Sequence, residues 1–195
     1  MKNQGFTLIE TMVSLTIFVV VSIALAQIIV ISVQNQVKIS LTQNLLNQSS
    51  YAVEYMSKSL RMAKKDTTGV CLGLENSEYN FQVEEGENPS ITFLSYDPFD
   101  QTEPYKCKKF IFATNNVRLM VSSDDSYENF QEFSGSPSLF STSVKVEDFK
   151  ISVTGDGADM YQPRITLNFK VSSDDLVDEN PIKMQTTISQ RRLDL

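Results

Sequence analysis

From Phe6 to Val33 the chain is apolar almost without interruption, and Glu10 is the only charge between Lys2 and Lys38. A helix over that run is roughly 42 Å long, enough to cross a hydrocarbon core of about 30 Å. The pattern then turns from continuous to periodic. Val37, Leu41, Leu45, Ala52, Met56, Leu60 and Ala63 recur at helical spacing, within an arc of about 140°. Gln43, Asn47, Glu54, Lys58, Arg61 and Lys65 fall on the opposite side. No Gly or Pro stands between Gly5 and Gly69 to stop the helix. The spacing therefore predicts one helix from about Phe6 to Lys65. Its first half suits lipid or a bundle of like helices, and the stripe of its second half suits packing on a C-terminal domain. Asp66-Thr67-Thr68-Gly69 ends the helix with turn chemistry.

Beyond Gly69 the period shortens to that of strands. Tyr79 to Glu84 alternates, and Ile91, Phe93 and Ser95 continue the pattern after Gly86 and Pro89. Asp97 to Pro104 reads as a loop. Lys106 to Ala113 and Asn116 to Val121 read as a hairpin turning at Thr114-Asn115. Ser122 to Pro137 is a polar excursion. Ser143 to Thr154 alternates with a phase slip at Glu147-Asp148, the mark of a bulge. Arg164 to Ser172 forms its antiparallel partner after a turn at Gly155-Asp156-Gly157, and Ile182 to Leu193 closes the sheet. The fold class is α+β, a long N-terminal helix packed on a C-terminal antiparallel β-sheet. The organisation expected is a leader over 1–5, a transmembrane helix over 6–33, its amphipathic continuation over 34–66 and a β domain over 67–195.

Composition narrows the chemistry. The chain of 195 residues has no His and no Trp. It therefore lacks the commonest general base and the commonest transition-metal ligand. No catalytic residue, metal ligand or cofactor site is predicted, and an enzyme is the weakest reading. The net charge of −7 suits no general nucleic-acid binder, because such affinity rests on Lys and Arg. Lys106, Lys108 and Lys109 make only a small basic patch, read as a solvated strand edge. Asp156 and Asp159, Asp124-Asp125 and Asp174-Asp175 read as solvated turns, since none has the spacing of a calcium loop. Cys71 and Cys107 are the only cysteines. In an exported domain a disulfide between them is favoured over two buried thiols, worth about 4 kcal/mol by loop entropy.

Glu10 makes the apolar stretch specific. A carboxylate in a spanning helix costs a few kcal/mol unless it finds a partner or sits near the interface. Cleavage between Gly5 and Phe6 creates an amine that meets Glu10 of a neighbouring helix, which implies lateral assembly. Gly5-Phe6-Thr7-Leu8-Ile9-Glu10 followed by the apolar run resembles the processing signal of type IV prepilins and type II secretion pseudopilins. The resemblance implies a membrane prepilin peptidase that cuts after Gly5 and methylates Phe6. It also implies docking through Glu10 into a filament of other pilin or pseudopilin subunits, on an assembly platform in the membrane. Leu60-Arg61-Met62-Ala63, the Phe149 strand leading to Gly155, Pro163, and Thr186-Thr187-Ile188-Ser189 with Arg191 loosely resemble the J-type minor pseudopilins and minor pilins. Major pilins usually carry a helix-breaking Pro or Gly in the membrane part, and none is here.

The expected function is thus a minor pilin or pseudopilin of a pilus, secretion or competence filament, placed near the tip and helping to initiate assembly. It is held by lipid in the cytoplasmic membrane with its C-terminal domain outside the cytoplasm, then drawn into the filament. The alternatives are a major pilin and a membrane-anchored extracellular binding module, such as an adhesin or DNA-uptake receptor. An ordinary signal peptide cut after Ala26 fits poorly, because Glu10 interrupts its core and Ile28 to Val33 continue the run.

Overall fold

The computed structural model describes residues 5, 7–66, 69, 71–72, 80–96, 105–122, 130–131, 138–155, 162–173 and 181–190. The loop over 97–104, most of the Ser122 to Pro137 excursion, the acidic turns at 124–125, 156–159 and 174–179, Tyr79 and Arg191 lie outside them. The chain divides into two units, Met1–Gln43 and Asn44–Leu195. Helix α1 has the bounds Leu8–Arg61. Within the first unit every α1 residue from Leu8 to Ser40 is exposed, as a continuous apolar run without a packed side requires.

In the second unit α1 buries one stripe: Leu45, Ser49, Ala52, Met56 and Leu60. Four of these belong to the expected stripe, and Val37 at its start is exposed. Ser49 fills the place between Leu45 and Ala52 because its hydroxyl donates to the Leu45 carbonyl at 2.7 Å. That bond removes the cost of burying a polar group. The helix stops short of the expected Lys65. Met62 N–H closes a tighter bond to the Ser59 carbonyl at 3.2 Å, and the next two residues leave as strand β1 (Ala63–Lys64), pairing with Ser95 and Leu94. Tertiary pairing outweighs helix propensity there.

Two antiparallel sheets follow where one is expected. The first holds β1, β2 (Phe81–Glu84), β3 (Ser90–Tyr96), β4 (Tyr105–Ala113), β5 (Asn116–Ser122) and β6 (Phe130–Gln131). Its order is β1-β3-β4-β5-β6, with β2 also on β3. The second holds β7 (Val144–Thr154), β8 (Arg164–Ser173) and β9 (Ile182–Ser189) in that order. The β4–β5 hairpin turns at Thr114 and Asn115, with φ of 50° and 58°, the left-handed pair of a type I′ turn. The register of β7 on β8 slips between Val146 and Asp148, the bulge expected at Glu147-Asp148. Strand β3 departs from simple alternation. Ser90 and Thr92 are buried as deeply as Ile91 and Phe93, so both of its faces are covered.

Aromatic rings tie the layers together. Tyr55 of α1 meets Phe110 of β4 edge-on at 6.3 Å, and Phe110 lies 5.5 Å from Phe93. Two residues along the same face of β4, Phe112 stacks on Phe149 of β7 at 6.1 Å, and Phe149 meets Phe169 of β8 at 6.3 Å. Rings at these separations gain about 0.5–1.5 kcal/mol beyond their burial. The two sheets share one core through β4.

Candidate functional site: the head of the N-terminal helix

Thr7 starts the helix. Its carbonyl accepts from Glu10 N–H at 3.1 Å and Thr11 N–H at 3.2 Å, which places Thr7 at the N-cap and Glu10 in the first turn. A negative charge there is favoured by the helix dipole. The spacing Thr7-x-x-Glu10 also fits a capping box, a purely structural use of the acid. That box is not closed: among the described residues the Glu10 carboxylate has no hydrogen-bond or ion-pair partner. Gly5 is exposed, and a Cβ there meets no atom within 4 Å, so packing makes no demand for glycine at this position. Phe6, the expected new N-terminus, lies outside the described residues.

Four hydroxyls near the head of the helix bond internally. Thr11 and Thr16 donate their hydroxyls to the carbonyls of Leu8 and Val13, both at 2.8 Å. Ser14 and Ser22 donate to Glu10 and Phe18 at the same distance. Each hydroxyl is satisfied without an outside partner, which apolar surroundings require. Apart from these hydroxyls, Gln27 and Ser32, the exposed side chains from Leu8 to Val33 are apolar, with one carboxylate among them. By length and composition this helix can cross a membrane. Among the described residues the arrangement brings no nucleophile beside a base. It offers a single charged contact on an apolar rod.

Cys71 and Cys107 form a disulfide with their Cα atoms 5.4 Å apart. Both are buried, and with Leu72 they make a small separate core against Leu94 of β3. Asp66, expected to serve as a turn residue, is buried and accepts hydrogen bonds from the amides of Gly69, Cys71 and Leu72. Asp-x-x-Gly, present at Asp66 to Gly69, was the available signal. The expected strand-edge lysines are a correction. Strand β4 is interior to its sheet, between β3 and β5, and Lys109 is engaged with Glu84 at 2.7 Å. Lys106, Lys108 and Lys109 therefore form no solvated edge. Among the described residues no three His, Cys, Asp or Glu side chains gather where a metal ion could sit.

Residues 1–26 match the family model of the prokaryotic N-terminal methylation motif. No curated protein and no solved structure matches the chain. The matched residues include Gly5, Phe6 and Glu10, and behind them stands a long helix packed on antiparallel sheets. In that motif and architecture the chain is similar to the type IV prepilins and pseudopilins.

Proposed function

We propose that this chain is a minor pilin or pseudopilin, a structural subunit that helps to initiate a filament near its tip. The prepilin peptidase cuts between Gly5 and Phe6 and methylates Phe6. Glu10 then docks on the Phe6 amine of a neighbouring subunit, an ion pair formed in apolar surroundings. Until assembly the subunit is held in the cytoplasmic membrane as a single-pass protein, its C-terminal domain outside the cytoplasm and its helix engaged by an assembly platform. The observation that carries the reading is the carboxylate of Glu10, the only charge from Leu8 to Val37, without a partner among the described residues on a helix where the hydroxyls of Thr11, Ser14, Thr16 and Ser22 are internally bonded. Gly5 supports processing, since the fold itself does not need it. The unbroken course of α1 supports a minor subunit over a major one.

Two measurements test this. The N-terminal peptide from membranes should start at methylated Phe6 only when the peptidase is present. An intact Met1, or a start at Gln27, would remove the processing step. Glu10→Val should leave cleavage intact and abolish incorporation into the filament. Normal incorporation of that variant would reduce the helix to an anchor.

A further inference from the structure

Asp66 is 1 % exposed, in the short link between α1 and the disulfide. Its Oδ1 accepts from Gly69 N–H at 3.0 Å, and its Oδ2 from Cys71 N–H at 2.8 Å and Leu72 N–H at 2.9 Å. One carboxylate thus grips three amides of the segment that must bring Cys71 to Cys107. Cys107 is held independently, in β4 opposite Leu94 of β3. Hydrogen bonds to an ionised acceptor are about twice as strong as neutral ones. A buried carboxylate stripped of such donors is heavily penalised, so acid and segment become ordered together. We propose that Asp66 is the positioning residue for the disulfide: its carboxylate sets Cys71 opposite Cys107 before the thiols are oxidised. In this order of events the disulfide locks a segment already in place, and Leu72, buried beside it, seals the small core.

With glutathione disulfide as oxidant the chemistry runs in two exchanges. One cysteine thiolate attacks a glutathione sulfur, forming a mixed disulfide and releasing one glutathione thiolate. The second cysteine thiolate then attacks the protein sulfur of that mixed disulfide, closing Cys71–Cys107 and releasing the second glutathione thiolate. The two protons lost by the cysteines are taken up by the glutathione thiolates, and two electrons pass from the protein to the oxidant. Only the second exchange is intramolecular, so only it gains from the placement of Cys71.

The test uses the full chain in detergent micelles, equilibrated in glutathione redox buffers. D66N keeps the size of the side chain but removes acceptor capacity facing Cys71 and Leu72. It should lower the effective concentration of the two thiols at least tenfold, leaving formation of the first mixed disulfide within about twofold, since positioning acts on the intramolecular step alone. An effective concentration within threefold of wild type overturns the proposal. A second readout needs no variant and holds if D66N does not fold. In the reduced wild-type chain the amides of Gly69, Cys71 and Leu72 should stay protected from hydrogen exchange. If reduction drops them to unprotected rates, the disulfide orders the segment and the proposal fails.

Discussion

Lys109 Nζ donates to Glu84 Oε2 at 2.7 Å, and the Ser90 hydroxyl donates to the same oxygen at 2.7 Å. Strands β2, β3 and β4 each supply one member of this group. The Lys109 bond, followed by the Ser90 bond, holds the Glu84 carboxyl below its ordinary value of 4.5. A carboxyl whose pKa is depressed by folding contributes stability above its unfolded pKa and loses it as pH falls through the folded value. The Glu84 side chain is half exposed, so the contribution is about 0.5 kcal/mol after solvent screening. Glu84→Gln should be less stable than wild type by that amount at neutral pH. The gap should shrink as the medium is acidified below 4.5. Urea unfolding at the two pH values reads both.

Gln190 is the polar centre of the second unit. Its Nε2 donates to the Ala63 carbonyl at 2.7 Å, its Oε1 accepts from Asn80 Nδ2 at 2.9 Å, and its N–H donates to the Pro163 carbonyl at 3.3 Å. It joins the strand after α1, the approach to β2 and the start of β8. Gln190→Ala strands two buried polar groups, so it should cost about 2–4 kcal/mol. Gln185→Ala, at an exposed position of β9, should stay within about 0.5 kcal/mol of wild type. Denaturant midpoints of the two variants make the comparison.

Thr114 occupies the left-handed region at φ 50°, where a β-branched side chain is disfavoured. It is exposed, and its hydroxyl accepts only a long bond from Arg118 at 3.2 Å. Thr114→Asn should raise stability by about 0.5–1 kcal/mol, because Asn suits the first central position of a type I′ turn. A rise in melting temperature checks it. No change or a fall would mean that the Arg118 contact outweighs the backbone preference.

Ser49 tests the fit of α1 against the sheets. It is fully buried and its hydroxyl bonds within the helix, so removing that group leaves no orphaned partner beyond a carbonyl already in the helix ladder. Ser49→Ala should change stability by less than about 1 kcal/mol, whereas Ser49→Leu should cost about 1–3 kcal/mol by overpacking. Equal effects from the two would place open space beside residue 49.

What the chain reveals before folding is what its neighbours in sequence decide. The stripe from Leu45 to Leu60, the bulge at Glu147 and the turn at Thr114-Asn115 all follow from spacings of a few residues. The N-terminal signal is equally local, since Gly5, Phe6 and Glu10 fall within one short stretch. The division into two sheets is not local. It depends on Phe112 meeting Phe149 and on β1 pairing back to β3. The buried polar residues escape for the same reason. Asn80 and Gln190 look like surface residues until their partners arrive, 110 residues apart from each other in one bond and 127 from Ala63 in the next. Ser49 and Asp66 are bonded to near neighbours, but their burial is set by the sheets.

The internally bonded hydroxyls of Thr11, Ser14, Thr16 and Ser22 have a further consequence. A helix that satisfies its own polar groups carries almost the same free energy in any apolar medium, lipid or protein. Passing from one to the other then creates or breaks few hydrogen bonds along its flank. The exchange is nearly isoenergetic at those four positions, whereas the charge of Glu10 has a cost that differs between the two media. The apolar area of such a rod keeps it out of water, and its one carboxylate between Leu8 and Val37 is the group most sensitive to where along its axis it rests.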